Sequence, residues 1–185
     1  MSRNESGSAF LLEAVRTFRG YKARGEEAFA QLREQDWFRL IDPEANSIAI
    51  IVKHMAGNMR SRWTDFLNSD GEKPSRDRDS EFILDSSTTP GQVREWWNEG
   101  WQLVFATLES LSAEDVEKKI TIRGQTYSVL EAISRQMAHY AEHIGQIILL
   151  AKHFRGAAWK SLSIPKGQSS TLGLSAELAN RARRG

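Results

Sequence analysis

The sequence reads as an all-α protein, an up-down four-helix bundle with a small β-hairpin inserted before the last long helix. Three observations predict this. Apolar residues recur at helical spacing in four separate stretches, two of those stretches open on a capping box, and only one short stretch alternates as a strand does. The chain has 185 residues, expected to form a single domain over 1–185. A domain of that size buries roughly 70 % of its unfolded surface, so its core closes without a disulfide or a metal.

The first stretch, over 8–34, carries Phe10, Leu11, Ala14, Val15, Phe18, Tyr21, Ala28, Phe29 and Leu32. Gly20 and Gly25 weaken it by about 1 kcal/mol each relative to alanine. Asp42-Pro43 breaks the pattern, and Asn46 or Ser47 can cap a second helix reaching about Asn68, with Ile48, Ile51, Val52, Met55, Met59, Trp63 and Phe66 as its stripe. From Ser69 to Thr88 the chain is polar and aperiodic, which fits a solvated loop or a lid over a site. Thr89-Pro90-Gly91-Gln92 then supplies a cap, a first-turn proline and a glutamine able to complete a capping box. Val93, Trp96, Trp97, Trp101, Val104 and Leu108 follow, and their spacing favours core packing over ligand stacking. Residues 118–129 alternate as a hairpin around Arg123-Gly124-Gln125. Ser128 and Glu131 form the second capping box, opening a helix to about Phe154 that Gly156 stops. A short helix is expected over 175–183.

Composition narrows the function. With 25 basic and 24 acidic residues the net charge is +1, which makes no electrostatic case for nucleic acid or for a membrane surface. The chain has no cysteine, and this removes disulfides, thiolate metal sites and cysteine nucleophiles together. Met1 to Gly7 is polar, unlike a secretory signal, and no run of about 18 apolar residues exists. A soluble, cytoplasmic protein is the expectation.

The residues able to carry chemistry are histidines. His139 and His143 are four apart, one turn apart on one helix face, and two imidazoles so placed can reach one ion at about 2.0–2.1 Å. They lie along the edge of the apolar stripe, flanked by Gln136, Gln146 and Leu150. His54 is the other mid-helix histidine. It falls on the Ile50/Asn58 side of its helix, off the centre of the Met55–Met59 stripe but still among apolar neighbours. A buried histidine needs a partner, which favours a ligand or hydrogen-bonding role. His153 is explained by its place at a helix C-terminus. His139 to His143 also matches the H-x-x-E-H pattern of one peptidase class, but the pattern is short and its only downstream acidic candidate, Glu177, lies in the tail. Glu142 and Tyr140 fit plain helix surface and core and are not assigned to the site. Phosphate-cradling glycine loops, G-x-S-x-G and the paired Glu-x-x-His of di-iron bundles are absent.

With three histidines so placed, the chain resembles the DinB/YfiT-like superfamily of four-helix bundles over nearly its whole length. The resemblance is carried by Ser47 to Arg60 around His54, by Ser69 to Pro74 with Arg76 to Asp79, by the His139–His143 pair, and by Trp159 to Gly167. It looks like a subfamily of unknown function. The resemblance implies a three-histidine site of His54, His139 and His143 holding one divalent ion (nickel, zinc or iron) and a homodimer. Some members of that superfamily are thiol-dependent enzymes, an isomerase and a transferase among them, and others are described only as metal-dependent hydrolases. Two function classes follow. One is a metal-dependent enzyme acting on a small molecule, with or without a low-molecular-weight thiol. The other is a metal-binding or stress-response protein without turnover. The loop 69–88 and the segment 159–169 are expected to cover the metal side, and the many aromatics, six tryptophans among them, to leave apolar edges for a dimer.

Overall fold

The computed structural model describes residues 3–168. Four long helices, α1 (Arg3–Phe29), α2 (Ile48–Trp63), α3 (Pro90–Ser110) and α4 (Val129–Arg155), account for most of it. An antiparallel hairpin, β1 (Lys119–Ile122) and β2 (Gln125–Ser128), sits between α3 and α4. The short helix expected over 175–183 and Glu177 lie outside the described residues.

Hydroxyl side chains start three of the helices. Ser47, Thr89 and Ser128 stand in extended backbone, and each accepts from the N–H three residues on, at 3.2, 3.2 and 3.1 Å. The box at Ser128 is reciprocal, because Glu131 Oε2 accepts from the Ser128 N–H at 2.6 Å. Thr89 receives the Gln92 N–H without a return bond from the Gln92 side chain.

The ends differ from the sequence expectation for local reasons. The first helix stops at Phe29 because a new turn, Glu34–Trp37, forms around Asp36, a fully buried carboxylate that accepts from Arg33. The second stops at Trp63, five residues short of Asn68, where Asp65 takes the left-handed backbone at φ 48°. In the hairpin Arg123 and Gly124 both have positive φ, 55° and 73°, the geometry of a tight two-residue turn. Gln125 therefore pairs with Ile122 and does not sit in the turn.

The helices pack pairwise, α2 along α3 and α1 along α4, with further contact between α2 and α4 and between α1 and α3. Rings fill the centre. Phe18 from α1 meets Trp63 of α2 at 5.7 Å and Tyr140 of α4 at 5.7 Å, and Trp101 of α3 meets the same Tyr140 at 5.7 Å. Trp37, Trp63, Trp97 and Trp101 are buried and Trp96 and Trp159 half-buried, so the tryptophans are not the exposed edges that the sequence suggested. The large exposed apolar side chains are Leu12, Leu40, Ile41, Ile83, Leu130 and Leu149. No described helix is long and apolar enough to cross a membrane.

Two glycines that look alike in sequence differ here. A Cβ at Gly25 would lie 2.6 Å from the ring of buried Trp97, whereas one at Gly20 would meet nothing within 4 Å. Helix propensity favours alanine at both by about 1 kcal/mol, but overpacking a rigid ring costs about 1–3 kcal/mol. Gly20→Ala is therefore expected to raise stability by up to about 1 kcal/mol and Gly25→Ala to lower it by about 1 kcal/mol or more. Urea unfolding of both variants checks this; two changes of the same sign would contradict the packing at Trp97.

Candidate metal centre

His54 lies on the second helix, and His139 and His143 lie one turn apart on the fourth. The packing of α2 on α4 brings one ring nitrogen from each within 4.8 Å of the others. His54 is buried and the pair half-buried. Ring centroids are 5.6 Å apart for His54–His139, 5.0 Å for His54–His143 and 4.7 Å for His139–His143. The three residues selected from the sequence are thus brought together.

What orients them is as telling as their proximity. His54 Nδ1 lies 2.8 Å from Glu81 Oε2, and His143 Nδ1 lies 2.9 Å from Gln146 Oε1. Both partners are acceptors, so each Nδ1 carries the proton and each Nε2 presents a lone pair. The Nε2 of His143 points at the Nε2 of His139, 3.0 Å away. In a tetrahedral site with metal–nitrogen bonds of about 2.0–2.1 Å, neighbouring ligand nitrogens stand about 3.3 Å apart. Acceptors behind and lone pairs in front are the arrangement that hydrogen-bond partners on the far ring nitrogen impose on metal-binding imidazoles. Burial, together with the neighbouring cationic and imidazole groups, pushes His139 down to about 3, and burial pushes His143 down as well. Both are therefore neutral, as ligands must be, at ordinary pH.

Glu81 was not visible as a site residue from the sequence. It comes from the loop 69–88, which is far from structureless. The turn Asp79–Phe82 is held onto α2 by Lys53, whose Nζ donates to the carbonyls of Ser80 at 2.9 Å and Ile83 at 2.6 Å. Phe82 stacks on the His54 ring at 4.9 Å. The Glu81 carboxylate fits against α2 only because residue 57 is glycine; a methyl group there would collide with Glu81 Oε1. Arg76 donates to Glu81 through Nε at 2.7 Å and Nη2 at 2.9 Å. Burial would raise the Glu81 carboxyl, but the bonds from His54 and Arg76 outweigh it and hold the group below its ordinary range.

The network continues outward. Arg76 also donates to Glu72 at 3.1 Å, and Glu72 accepts from Arg62 at 2.9 Å and from Arg123 of the hairpin at 2.8 Å. Asp70 accepts the backbone N–H groups of Arg123 and Gly124, tying the loop to the hairpin turn. In the segment expected over the metal side, 159–169, of which 159–168 are described, Lys160 exchanges two hydrogen bonds with Gln31, just beyond α1. Tyr140 is core, donating to Asn58 Oδ1 at 3.1 Å and accepting from Trp63 Nε1 at 2.9 Å. Glu142 and His153 are exposed.

A pocket of about 370 Å³ opens beside the cluster, with His54, His139, Asn58 and Gln136 among its lining. Its size is in the range of small-molecule sites.

A mostly helical protein with a convergent three-histidine cluster beside a polar pocket is the class that fold and site define. The chain belongs to the family described as Protein of unknown function (DUF1572), whose model matches residues 5–168. No curated protein and no solved structure matches it.

The electrostatic chain has a measurable consequence. Burial alone would raise Glu72, but Arg62, Arg123 and Arg76 hold it down to about 2 against an ordinary 4.5. A depressed carboxylate stabilises the fold above its unfolded pKa and loses that contribution as pH falls through the folded value. Stability should therefore decline between about pH 4.5 and 2 from this source. Glu72→Gln should be less stable at pH 7 and lose less over that acid range, as read from urea midpoints. An identical acid slope in both proteins would show that Glu72 is not so paired.

Proposed function

We propose that the chain is a DinB/YfiT-like four-helix-bundle protein, a single domain, that binds one divalent metal ion through the Nε2 atoms of His54, His139 and His143. The observation that carries this reading is the pair of acceptors, Glu81 and Gln146, that accept the Nδ1–H of His54 and of His143 on the far side and leave the Nε2 lone pairs of both to converge with His139. The donor set fits such an ion. Neutral imidazole suits zinc, nickel and iron, and three nitrogen ligands leave a position free for substrate or water.

When bound, the ion supplies Lewis acidity, able to polarise a carbonyl or to lower the pKa of a bound water or thiol. The chain's own residues supply the rest. Glu81 fixes the tautomer and orientation of His54, Arg76 keeps Glu81 charged, and Phe82 shields the outer face of the His54 ring from water. The pocket bordering His54 and His139 favours an enzyme over a metal store, because it gives a small molecule access to that free position. We infer metal-assisted hydrolysis or thiol transfer on a small molecule, in a cytoplasmic homodimer; these finer points rest on the resemblance to thiol-dependent and hydrolytic members of that superfamily.

The test is metal content and affinity. Wild type should hold one ion per chain, and His54→Ala, His139→Ala and His143→Ala should each lose it while keeping the helical circular dichroism spectrum, since the core closes without the ion. Gly57→Ala, which displaces Glu81 and touches no ligand, should keep the stoichiometry and weaken affinity about 10- to 100-fold. Wild-type protein that binds no zinc, nickel or iron, or single variants with undiminished content, would overturn the reading.

A further inference from the structure

The pocket has a wall that metal binding does not use. Five arginines line it, Arg62, Arg76, Arg78, Arg123 and Arg135, against one carboxylate, Glu142. Arg62 and Arg76 are buried and face Glu72 and Glu81. Arg78 and Arg135 are different. Their contacts are with aromatic faces, Phe82 at 5.0 Å and Tyr127 at 5.9 Å, and neither pairs with a carboxylate among the described residues. Arg123 binds Glu72 through Nε, which leaves its terminal N–H groups. With Glu72, Glu81 and Glu142 set against the five, two positive charges remain.

The floor adds neutral donors. Asn58 is 5 % exposed, and its Oδ1 accepts from both Gln136 Nε2 and Tyr140 Oη. Its amide NH2 is thereby the group left for an occupant of the pocket. Uncompensated guanidinium groups around a concavity whose floor offers an amide donor are the chemistry that recognises a planar or tetrahedral oxyanion.

We propose that this wall is an oxyanion subsite: it binds the carboxylate or phosphate group of a small molecule, with Arg78 and Arg135 as its principal cations and Arg123 beside them. The molecule's reacting end then faces His54 and His139. That orientation rests on the metal reading above; the anion subsite itself does not. The substrate class that follows is an anionic small molecule, held by its charge at one end and presented to the metal position at the other. Arg78 serves twice in this arrangement, since the Phe82 ring it covers is the one stacked on His54.

The experiment is calorimetric titration of the full chain at low ionic strength with succinate and, separately, with inorganic phosphate. It is done on zinc-loaded and on chelator-treated protein. The variants are Arg78→Gln/Arg135→Gln together and, as a control for overall charge, Arg60→Gln, an exposed residue outside this pocket. Wild type should bind at least one of the two anions in both metal states. The double variant should bind about tenfold or more weakly with unchanged metal content, and Arg60→Gln should match wild type. Which anion binds identifies the recognised group. Wild type that binds neither anion, or a double variant that binds as wild type does, overturns the subsite. So does binding found only in the zinc-loaded protein and indifferent to the arginines, which places the anion on the ion. Arginine-dependent binding by protein that holds no metal would sustain the subsite while removing the metal reading.

Discussion

A carboxylate buried as deeply as that of Glu81 is tolerated only where donors and cations surround it, because an isolated charge in an apolar interior costs several kcal/mol even after relaxation. Here the surroundings are His54 on one oxygen and the fork of Arg76 on both. Removing one partner of such a pair costs roughly 3–5 kcal/mol, so the carboxylate and its partners stand or fall together. Much of what surrounds the site follows from that requirement. The loop from 69 to 88 must return to α2, residue 57 must lack a side chain, and Arg76, already paired with Glu81, reaches a second carboxylate, Glu72. Glu72 in turn draws Arg62 from α2 and Arg123 from the hairpin. The network around this buried ion pair thus joins a helix, a loop and a hairpin.

The same bond gives the site its chemistry. Helices α2 and α4 bring three imidazoles together, but a helix pair alone does not decide which nitrogen of each faces inward. Glu81 decides it for His54 and Gln146 for His143. The loop therefore contributes less as a cover than as the provider of a proton acceptor, and it places Arg76 and Arg78 at the pocket wall in the same stretch of chain.

Much of this architecture was legible in the sequence. The starts of α2, α3 and α4 could be read because a cap is local: Ser47, Thr89 and Ser128 act within three residues of themselves. The His139–His143 pair could be read because helical spacing alone makes them neighbours. His54 was harder, being off the centre of its stripe, and was reached through the cost of burying an imidazole without a partner. Glu81 and Gly57 could not be read that way. Their pairing links positions 24 residues apart across an aperiodic loop, and nothing local distinguishes Glu81 from the exposed acidic residues beside it. Gly25 failed for a related reason: in isolation it weakens a helix, and only the Trp97 ring of another helix explains it. The ends of α1 and α2 were overestimated because Asp36 and Asp65 terminate them by tertiary and backbone choices that periodicity does not register.

The central claim is that three imidazole nitrogens, oriented from behind by Glu81 and Gln146, form one metal shell. The most direct measurement is X-ray absorption at the zinc edge of protein loaded with one equivalent of zinc. The account predicts three imidazole scatterers at about 2.0–2.1 Å, with a light oxygen or nitrogen atom completing the shell. A shell of oxygen ligands, or one with fewer than three imidazoles, would contradict it.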